Sequence, residues 1–386
     1  MTTPRLLEGA RQGAHFFDTG GRRYLDADCS AGIFNLGRRR PELAEALKRA
    51  ARAADQGNFP IISEEKALLA EALAHFVPGP LECSLYGVTR GEAFDAACKV
   101  ARGFTKRPGL AALEGAWHGE TGFALSLSQR ADRDLYGPLI PETALLPFGD
   151  LAAAERAVTN TTAAAFLEPV QAENGCRAVT PEYARGLADL CRARGALLVV
   201  DETQTNFGRT GARFAFERLG VEPDILILGE ALGGGMFPIT VTLLTQRVNG
   251  FMNDHPLIHL STFGGSDVAC LVARAALGLY AAEKPWDNAA AMGKRLRAAL
   301  DGLVERFPDL LSGVAGEGLL LALRTPSPET ARALCAACLE NGLLVAAGRA
   351  ARDTVVIRPS LLVTEAETDE LASSLEAALR AVSSGA

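Results

Sequence analysis

The sequence lacks the features that mark membrane, secreted and zinc-binding proteins. It has no run of about 18 uncharged apolar residues, the length a transmembrane helix needs. Its N-terminal sequence, MTTPRLLEGARQG, contains no apolar signal core. Its five histidines include a single pair at His-x-x-x-His spacing, His255 and His259, and no third histidine lies near that pair in the sequence, so a histidine-based zinc site is not indicated. We therefore expect a cytoplasmic protein with no membrane partner and no metal.

The charge and the cysteines exclude two further classes of protein. A formal net charge of -7, without any long basic run, argues against a nucleic-acid partner. The eight cysteines are scattered, and only Cys335 and Cys338 have a spacing typical of metal or redox sites. They lie in an Ala/Leu-rich helical run without a second pair, which favours buried apolar residues. A length of 386 residues predicts two subdomains.

Two apolar runs in the middle of the chain each end in a carboxylate. ALLVV (196–200) is followed by Asp201, and DILILG (224–229) is followed by Glu230. Continuous apolar runs of this length predict parallel strands that are covered on both faces. Ligands of open α/β sheets bind outside the carboxyl ends of such strands. We therefore expect Asp201 and Glu230 to point into one pocket.

Other patterns predict local structure along the chain. Residues 16–28 predict a hairpin and residues 64–76 a helix. Thr180 and Pro181 form a helix start, with an N-cap followed by proline at the first helical position. Residues 314–322 predict one strand. The run Arg38-Arg39-Arg40 favours a solvated basic patch.

The stretch that contains the two carboxylates resembles the class III (ornithine- and acetylornithine-type) aminotransferases, fold type I of the pyridoxal-phosphate (PLP) enzymes. The family pattern is Asp-Glu-x-Gln-Thr-Gly-Phe-Gly-Arg-Thr-Gly, followed by a strand ending Gly-Lys-Ala-Leu-Gly-Gly-Gly. This chain has DETQTNFGRTG at 201–211 and GEALGGG at 229–235. The position of the Schiff-base lysine is therefore Glu230. A carboxylate cannot form an imine with the cofactor's aldehyde.

The resemblance implies an α/β fold of two domains. The large domain, residues 46–284, contains a mostly parallel central sheet. The smaller α+β domain comprises residues 1–45 and 285–386. The sequence Ser261-Thr262-Phe263-Gly264-Gly265 resembles a family segment whose threonine reaches the phosphate of the neighbouring subunit. A homodimer with shared active sites is therefore expected.

The resemblance also assigns residues to the cofactor. Asp201 would pair with the pyridine nitrogen, Gln204 would meet the ring hydroxyl, and Trp117 would stack on the ring. The other implied cofactor-binding residues are Thr89, Arg90, Gly91, Thr203 and Thr262. The family has a glycine where this chain has Arg90, in the turn that binds phosphate at a helix N-terminus. An arginine there could strengthen anion binding, or it could fill the space that the phosphate needs.

The substrate residues are implied in the same way. Glu173 lies at the position that pairs with a C-terminal arginine in the family, and Arg358 is the corresponding arginine. A planar guanidinium suits a substrate carboxylate. The pair indicates a small-molecule substrate of the amino-acid or keto-acid type, without identifying it.

Four hypotheses follow from the replacement of the lysine. The first is an enzyme that binds PLP or pyridoxamine phosphate (PMP) non-covalently, with Glu230 as general base. The second is an enzyme without cofactor that uses Asp201, Glu230 and Arg90 for acid/base chemistry, with Glu168 as a further carboxylate. The third is an inactive paralogue that partners an active subunit. The fourth is an engineered trap at Glu230, which the simultaneous change at Arg90 disfavours.

Overall fold

A computed structural model describes residues 6–55, 61–130 and 132–384 of the protein. The strands, in chain order, are β1 (Glu8–Gln12), β2 (His15–Asp18), β3 (Arg23–Asp26), β4 (Cys83–Gly87), β5 (Gly109–Leu113), β6 (Thr143–Leu146), β7 (Thr162–Leu167), β8 (Val170–Gln171), β9 (Arg177–Ala178), β10 (Leu197–Asp201), β11 (Ile225–Leu228), β12 (Thr240–Leu244), β13 (Gly313–Glu317), β14 (Leu320–Arg324), β15 (Leu343–Leu344), β16 (Ala346–Ala347) and β17 (Thr354–Ile357). The helices are α1 (Cys29–Gly32), α2 (Pro41–Ala53), α3 (Glu64–Phe76), α4 (Arg90–Thr105), α5 (Gly122–Leu127), α6 (Leu151–Ala157), α7 (Pro181–Arg194), α8 (Ala215–Leu219), α9 (Gln246–Asp254), α10 (Asp267–Glu283), α11 (Pro285–Arg306), α12 (Pro328–Glu340) and α13 (Glu365–Ser384).

The central sheet has seven strands in the order β4-β12-β11-β10-β7-β5-β6. Strand β10 pairs in parallel with both β7 and β11, and only β12 runs against its two neighbours. Every residue of β7, β10 and β11 is buried, because their apolar, often β-branched side chains are covered on both faces. The prediction of a mostly parallel central sheet is confirmed.

Smaller sheets lie outside the central one. One has the order β1-β2-β3-β15, and β2 and β3 form the hairpin expected at 16–28. A second has the order β13-β14-β17-β16. The expectation of a single strand at 314–322 is wrong. The chain turns at Gly318, whose φ is +56°, and forms the β13–β14 hairpin. The domain boundaries at 45/46 and 284/285 stay predictions.

The helices begin where the capping residues predict. Helix α3 has the expected bounds, and its N-cap Ser63 accepts a hydrogen bond from the Lys66 amide. Thr180 caps α7 through the Tyr183 amide, with Pro181 as the first helical residue. All eight cysteines are free thiols. Within the described ranges, no helix combines the length and apolarity that crossing a membrane requires.

The expectation of a solvated patch is wrong for Arg38. Its side chain is buried, and its Nε donates to the Asp26 carboxylate at 2.7 Å. A second bond joins it to Glu8. Arg38 is thus a buried cation held by two carboxylates at the start of the chain.

Candidate functional site

The candidate site lies where strands β10 and β11 end and helix α4 begins. Asp201 is the last residue of β10, and Glu230 follows β11 after Gly229. A Cβ on Gly229 would lie 2.9 Å from the backbone oxygen of Thr203, so the two strand ends approach closely only because this residue is glycine. The topology therefore brings both carboxylates to the N-terminus of α4.

Arg90 connects the parts of this site. It is the first residue of α4, and its side chain is 10 % exposed. Its Nη2 donates to Glu168 Oε1 at 2.9 Å and to Asp201 Oδ2 at 3.1 Å. Both carboxylates are buried. The guanidinium therefore points into the pocket toward the strand ends, not outward toward solvent.

Burial and charge act in opposite directions on these groups. Burial alone would raise the pKa of Asp201, but Arg90 and then His118 outweigh it and hold that pKa well below the usual range. Burial raises the pKa of Glu168, and the nearby cations offset only part of this effect. Burial would lower the pKa of Arg90, but Asp201 and Glu168 raise it instead. Asp201 and Arg90 are therefore the charged pair.

His118 completes the cluster, although its chemistry was not assigned from the sequence. It is fully buried, and its Nδ1 lies 2.7 Å from Asp201 Oδ2. Its ring stacks on Phe94 with centroids 4.2 Å apart. The signal that could have identified it is its place in the Trp-His-Gly sequence directly after β5.

Glu230 is less buried than Asp201. Its side chain is half-buried, and its Oε1 accepts a hydrogen bond from the backbone N–H of Arg90 at 2.8 Å. No other hydrogen bond or ion pair engages this carboxylate among the described residues, so Oε2 remains available. Glu230 thus meets the α4 N-terminus, while Asp201 meets the side chain of the same Arg90.

Trp117 lies between two arginines. The guanidinium carbon of Arg90 is 5.7 Å from the centroid of its ring, and that of Arg349 is 4.2 Å away. The backbone N–H of Trp117 donates to Glu168 at 3.0 Å. Both guanidinium groups are within cation–π distance of the indole, so positive charge surrounds this ring.

The predicted substrate pair is formed, but it is closed by further contacts. Arg358 donates to Glu173 at 2.9 Å and to Asp28 at 2.8 Å, and it also donates to Gln204 at 3.0 Å. Burial would lower the pKa of Arg358, but Asp28 and Glu173 raise it. Asp28 was not identified from the sequence. Gln204 also donates to the backbone of Ala31 at 2.8 Å.

The other predicted residues divide into two groups. Thr203 donates to Asp201 Oδ1 from its hydroxyl at 2.6 Å, and Thr89 caps α4 next to the buried Gly91. Thr262 is exposed on the segment 255–266, and no hydrogen bond joins it to the described residues of the cluster.

The cluster has the spacing of a metal site but not its charge. His118, Glu168 and Asp201 offer ligand atoms within 4.8 Å of one another. Arg90 donates to the same two carboxylates. A metal ion would have to displace this cation, so the observed arrangement favours an ion-pair network.

The charged groups that the resemblance assigns to PLP are engaged by the chain itself. Asp201, the expected partner of the pyridine nitrogen, is bound by Arg90 at 3.1 Å. The first N–H of α4, at the expected phosphate position, donates to Glu230 at 2.8 Å. This arrangement does not fit the cofactor in the position that the resemblance implies.

Comparisons with known proteins agree on the family. The model of the class-III aminotransferases matches residues 4–379. An uncharacterized aminotransferase from Archaeoglobus fulgidus is 36 % identical over 380 residues, 98 % of this chain and 89 % of the relative. A putrescine aminotransferase from Pectobacterium atrosepticum is 34 % identical over 357 residues, 90 % of this chain and 76 % of the relative.

The similarity of structure covers the whole chain. An ornithine aminotransferase from Toxoplasma gondii, with PLP at partial occupancy in its active site, superposes with a TM-score of 0.93. It is 27 % identical and matches 100 % of this chain and 92 % of its own. The protein is therefore a member of the class III aminotransferase family, which is a family of PLP enzymes.

Proposed function

We propose that this protein is an aminotransferase-family enzyme that works without PLP and transfers protons through Glu230 on a small amino-acid or keto-acid substrate. The observation that carries the proposal is the guanidinium of Arg90, which binds Asp201 and Glu168. It supports the cofactor-independent hypothesis over non-covalent binding of PLP or PMP, because the carboxylate reserved for the pyridine nitrogen already has a cation.

The charges of the buried cluster support this choice. Arg90 is one permanent cation, and Asp201 and Glu168 are two carboxylates. Burial raises the pKa of Glu168, which favours the neutral acid and leaves Arg90 and Asp201 as the charged pair. A protonated pyridine at Asp201 would add a second cation. Two cations about 4 Å apart repel by about 4 kcal/mol at an effective dielectric constant near 20.

Glu230 is placed to exchange protons with a substrate. One oxygen is fixed by the Arg90 amide, and the carboxylate is only half-buried. A carboxylate held in this way can remove a proton from the carbon next to the carbonyl group of a keto acid and return it. Neither a Schiff base nor a metal is needed for that step.

The substrate carboxylate needs a cation near Glu230. Arg358 is held by Asp28 and Glu173, so a substrate would have to displace one of them. Arg349 has a side chain that is 55 % exposed, it lies over the Trp117 ring, and its ion pairs with Glu120 and Glu173 are long, at 3.8 and 3.9 Å. Arg349 is therefore the more accessible group to hold a carboxylate.

The test is exchange of protons for deuterium next to the carbonyl of a 2-oxo acid such as pyruvate, followed by NMR in D₂O. Glu230→Gln removes the base and should lower the exchange rate by about 100-fold or more. Glu114→Gln is the matched control, since Glu114 is an exposed carboxylate at the same edge of the sheet. Equal exchange by wild type and Glu230→Gln would contradict the proposed role.

We also propose a homodimer, which a separate observation favours. In the segment 255–266, here called the apolar loop, Leu257, Ile258, Leu260 and Phe263 are 50–58 % exposed. Four large apolar side chains exposed so close together are typical of an interface. A second copy of the chain that covers this loop would also approach Thr262.

A further inference from the structure

We infer that Arg90 and Glu230 are a matched pair that reproduces, with the chain's own side chains, the two charged ends of the family's cofactor. Arg90 supplies the positive charge at Asp201, and Glu230 supplies the negative charge at the N-terminus of α4. This inference rests on the proposed cofactor-free function, and it explains why the fold keeps a PLP-type pocket.

The positive end is reproduced in charge, shape and surroundings. The guanidinium is planar, and its Nη2 lies 3.1 Å from the Asp201 carboxylate. The same group lies 5.7 Å from the ring of Trp117, which the resemblance assigns to stacking on the pyridine. Arg90 therefore compensates the charge of Asp201, and Glu168 at 2.9 Å is a second acceptor for the same guanidinium.

The negative end is reproduced at the start of a long helix. Helix α4 runs for 16 residues, so its N-terminus carries a partial positive charge and backbone N–H groups that have no partner within the helix. Thr89 and Glu92 satisfy neighbouring amides, namely those of Glu92 and Val88. The Arg90 amide is satisfied by Glu230 at 2.8 Å. A carboxylate therefore takes the place of the phosphate that such a terminus attracts.

The two replacements are coupled through one residue. The side chain of Arg90 closes the pyridine end, and its backbone N–H holds the side chain that closes the phosphate end. If only one of the two replacements is reversed, the other residue still closes its end of the cofactor position. Glu230→Lys alone would supply an amine, but Arg90 would remain on Asp201. Arg90→Gly alone would open Asp201, but Glu230 would remain on the α4 amide.

The experiment is covalent capture of PLP by the double variant Arg90→Gly/Glu230→Lys. The amine introduced at position 230 attacks the aldehyde carbon of PLP, and water leaves as the imine forms. Borohydride then reduces the imine to a stable amine, which mass spectrometry locates on the peptide containing position 230. We expect Schiff-base absorbance and this adduct in the double variant, with labelling by Glu230→Lys alone at least about 100-fold lower.

The matched control is Arg38→Gly/Glu230→Lys. Arg38 is also a buried arginine held by two carboxylates, Asp26 and Glu8, but it lies outside the cluster. This variant should lose a comparable ion pair and gain no adduct. If Arg90→Gly reduces folding, Arg90→Gln/Glu230→Lys removes the charge while keeping more of the side chain.

A second readout does not depend on covalent chemistry. PMP, which has no aldehyde, should raise the melting temperature of Arg90→Gly/Glu230→Lys by about 3 °C at 100 times its Kd, and it should leave Arg38→Gly/Glu230→Lys unchanged. Adduct formation by Glu230→Lys as efficient as in the double variant would overturn the inference, as would a folded double variant that forms no adduct. If the wild-type protein shows no proton exchange but the double variant still forms the adduct, only the proposed catalysis is rejected.

Discussion

Arg209 and Arg90 are buried arginines that are stabilised by different kinds of partner. Arg209 donates to the backbone oxygens of Leu319 and Pro359 and to the side chain of Asn35. Burial without a paired carboxylate lowers the pKa of Arg209 to about 10. Arg90, by contrast, is held by carboxylates, which raise its pKa. Arg209 therefore joins segments of the chain, while Arg90 balances the charge of the candidate site.

Glu202, next to Asp201, predicts a pH dependence of stability. Burial raises its pKa to about 7, from 4.5 in the unfolded chain. The folded protein therefore binds a proton that the unfolded chain releases between these values, so this contribution is present below pH 4.5 and is lost toward pH 7. From pH 5 to pH 8 it amounts to about 2–3 kcal/mol.

Glu202→Gln should remove this contribution. The amide oxygen can accept from the Phe216 N–H, and the amide nitrogen can donate to the Thr205 hydroxyl. Urea unfolding at pH 5 and pH 8 should therefore show the variant gaining about 2–3 kcal/mol on wild type as the pH rises. A difference between the two proteins that is independent of pH would show that Glu202 is ionised in the folded state.

The sequence was sufficient for the identity of most site residues but not for their contacts. Asp201, Glu230 and Glu173 could be located because each occupies a fixed place in a long motif. The orientation of Arg90 could not, because a long flexible side chain reaches either the phosphate space or the carboxylates. Arg38 was misjudged because its partners Asp26 and Glu8 come from other segments of the chain.

The segment labelled α1, Cys29–Gly32, is a turn with left-handed backbone rather than a regular helix, and it stores backbone strain beside the substrate pair. Cys29, Ser30 and Ala31 have φ values of +49°, +48° and +59°, and Gly32 has +89°. Each non-glycine residue in this conformation costs about 1–2 kcal/mol. The turn directs Asp28 to Arg358 and the Ala31 carbonyl to Gln204, so the strain is offset by contacts at the candidate site.

Ser30→Gly should therefore stabilise the protein by about 0.5–1 kcal/mol, since glycine adopts positive φ without strain and the exposed serine loses little. Chemical denaturation measures this change. Ser312→Gly is the matched control, because Ser312 is also exposed but has an ordinary φ, and it should destabilise by a similar amount. Destabilisation by both changes would mean that the turn is not strained.

Elements with continuous apolar sequence were predictable, whereas turns between them were less so. The runs that form β7, β10 and β11 are too apolar for any position other than a buried sheet. The segment 314–322 has the same apolar character but contains Gly316 and Gly318, both at positive φ, which allow the hairpin. The antiparallel direction of β12 has no local signal in the sequence.

At the scale of the whole molecule, the proposed homodimer depends on the apolar loop. Phe263→Asp places a charge on a side chain that is 56 % exposed in the single chain, so folding should be retained while association is lost. Sedimentation velocity should show wild type and Phe263→Leu as dimers and Phe263→Asp as a monomer. A monomeric wild type, or a dimeric Phe263→Asp, would contradict the proposed interface.

Some statements about the whole molecule remain predictions. The cytoplasmic location and the alternative of an inactive partner subunit depend on cellular context and on partners outside one chain. The family, by contrast, follows from similarity over residues 4–379.

The most direct test of the account is a titration of the wild-type protein with PLP and with PMP, followed by absorbance and by heat. Because Arg90 and Glu230 engage both charged ends of the pocket, neither compound should give a saturable signal with a Kd below about 1 mM. Saturable binding of one molecule per chain would contradict it and support an enzyme that holds its cofactor without a covalent bond.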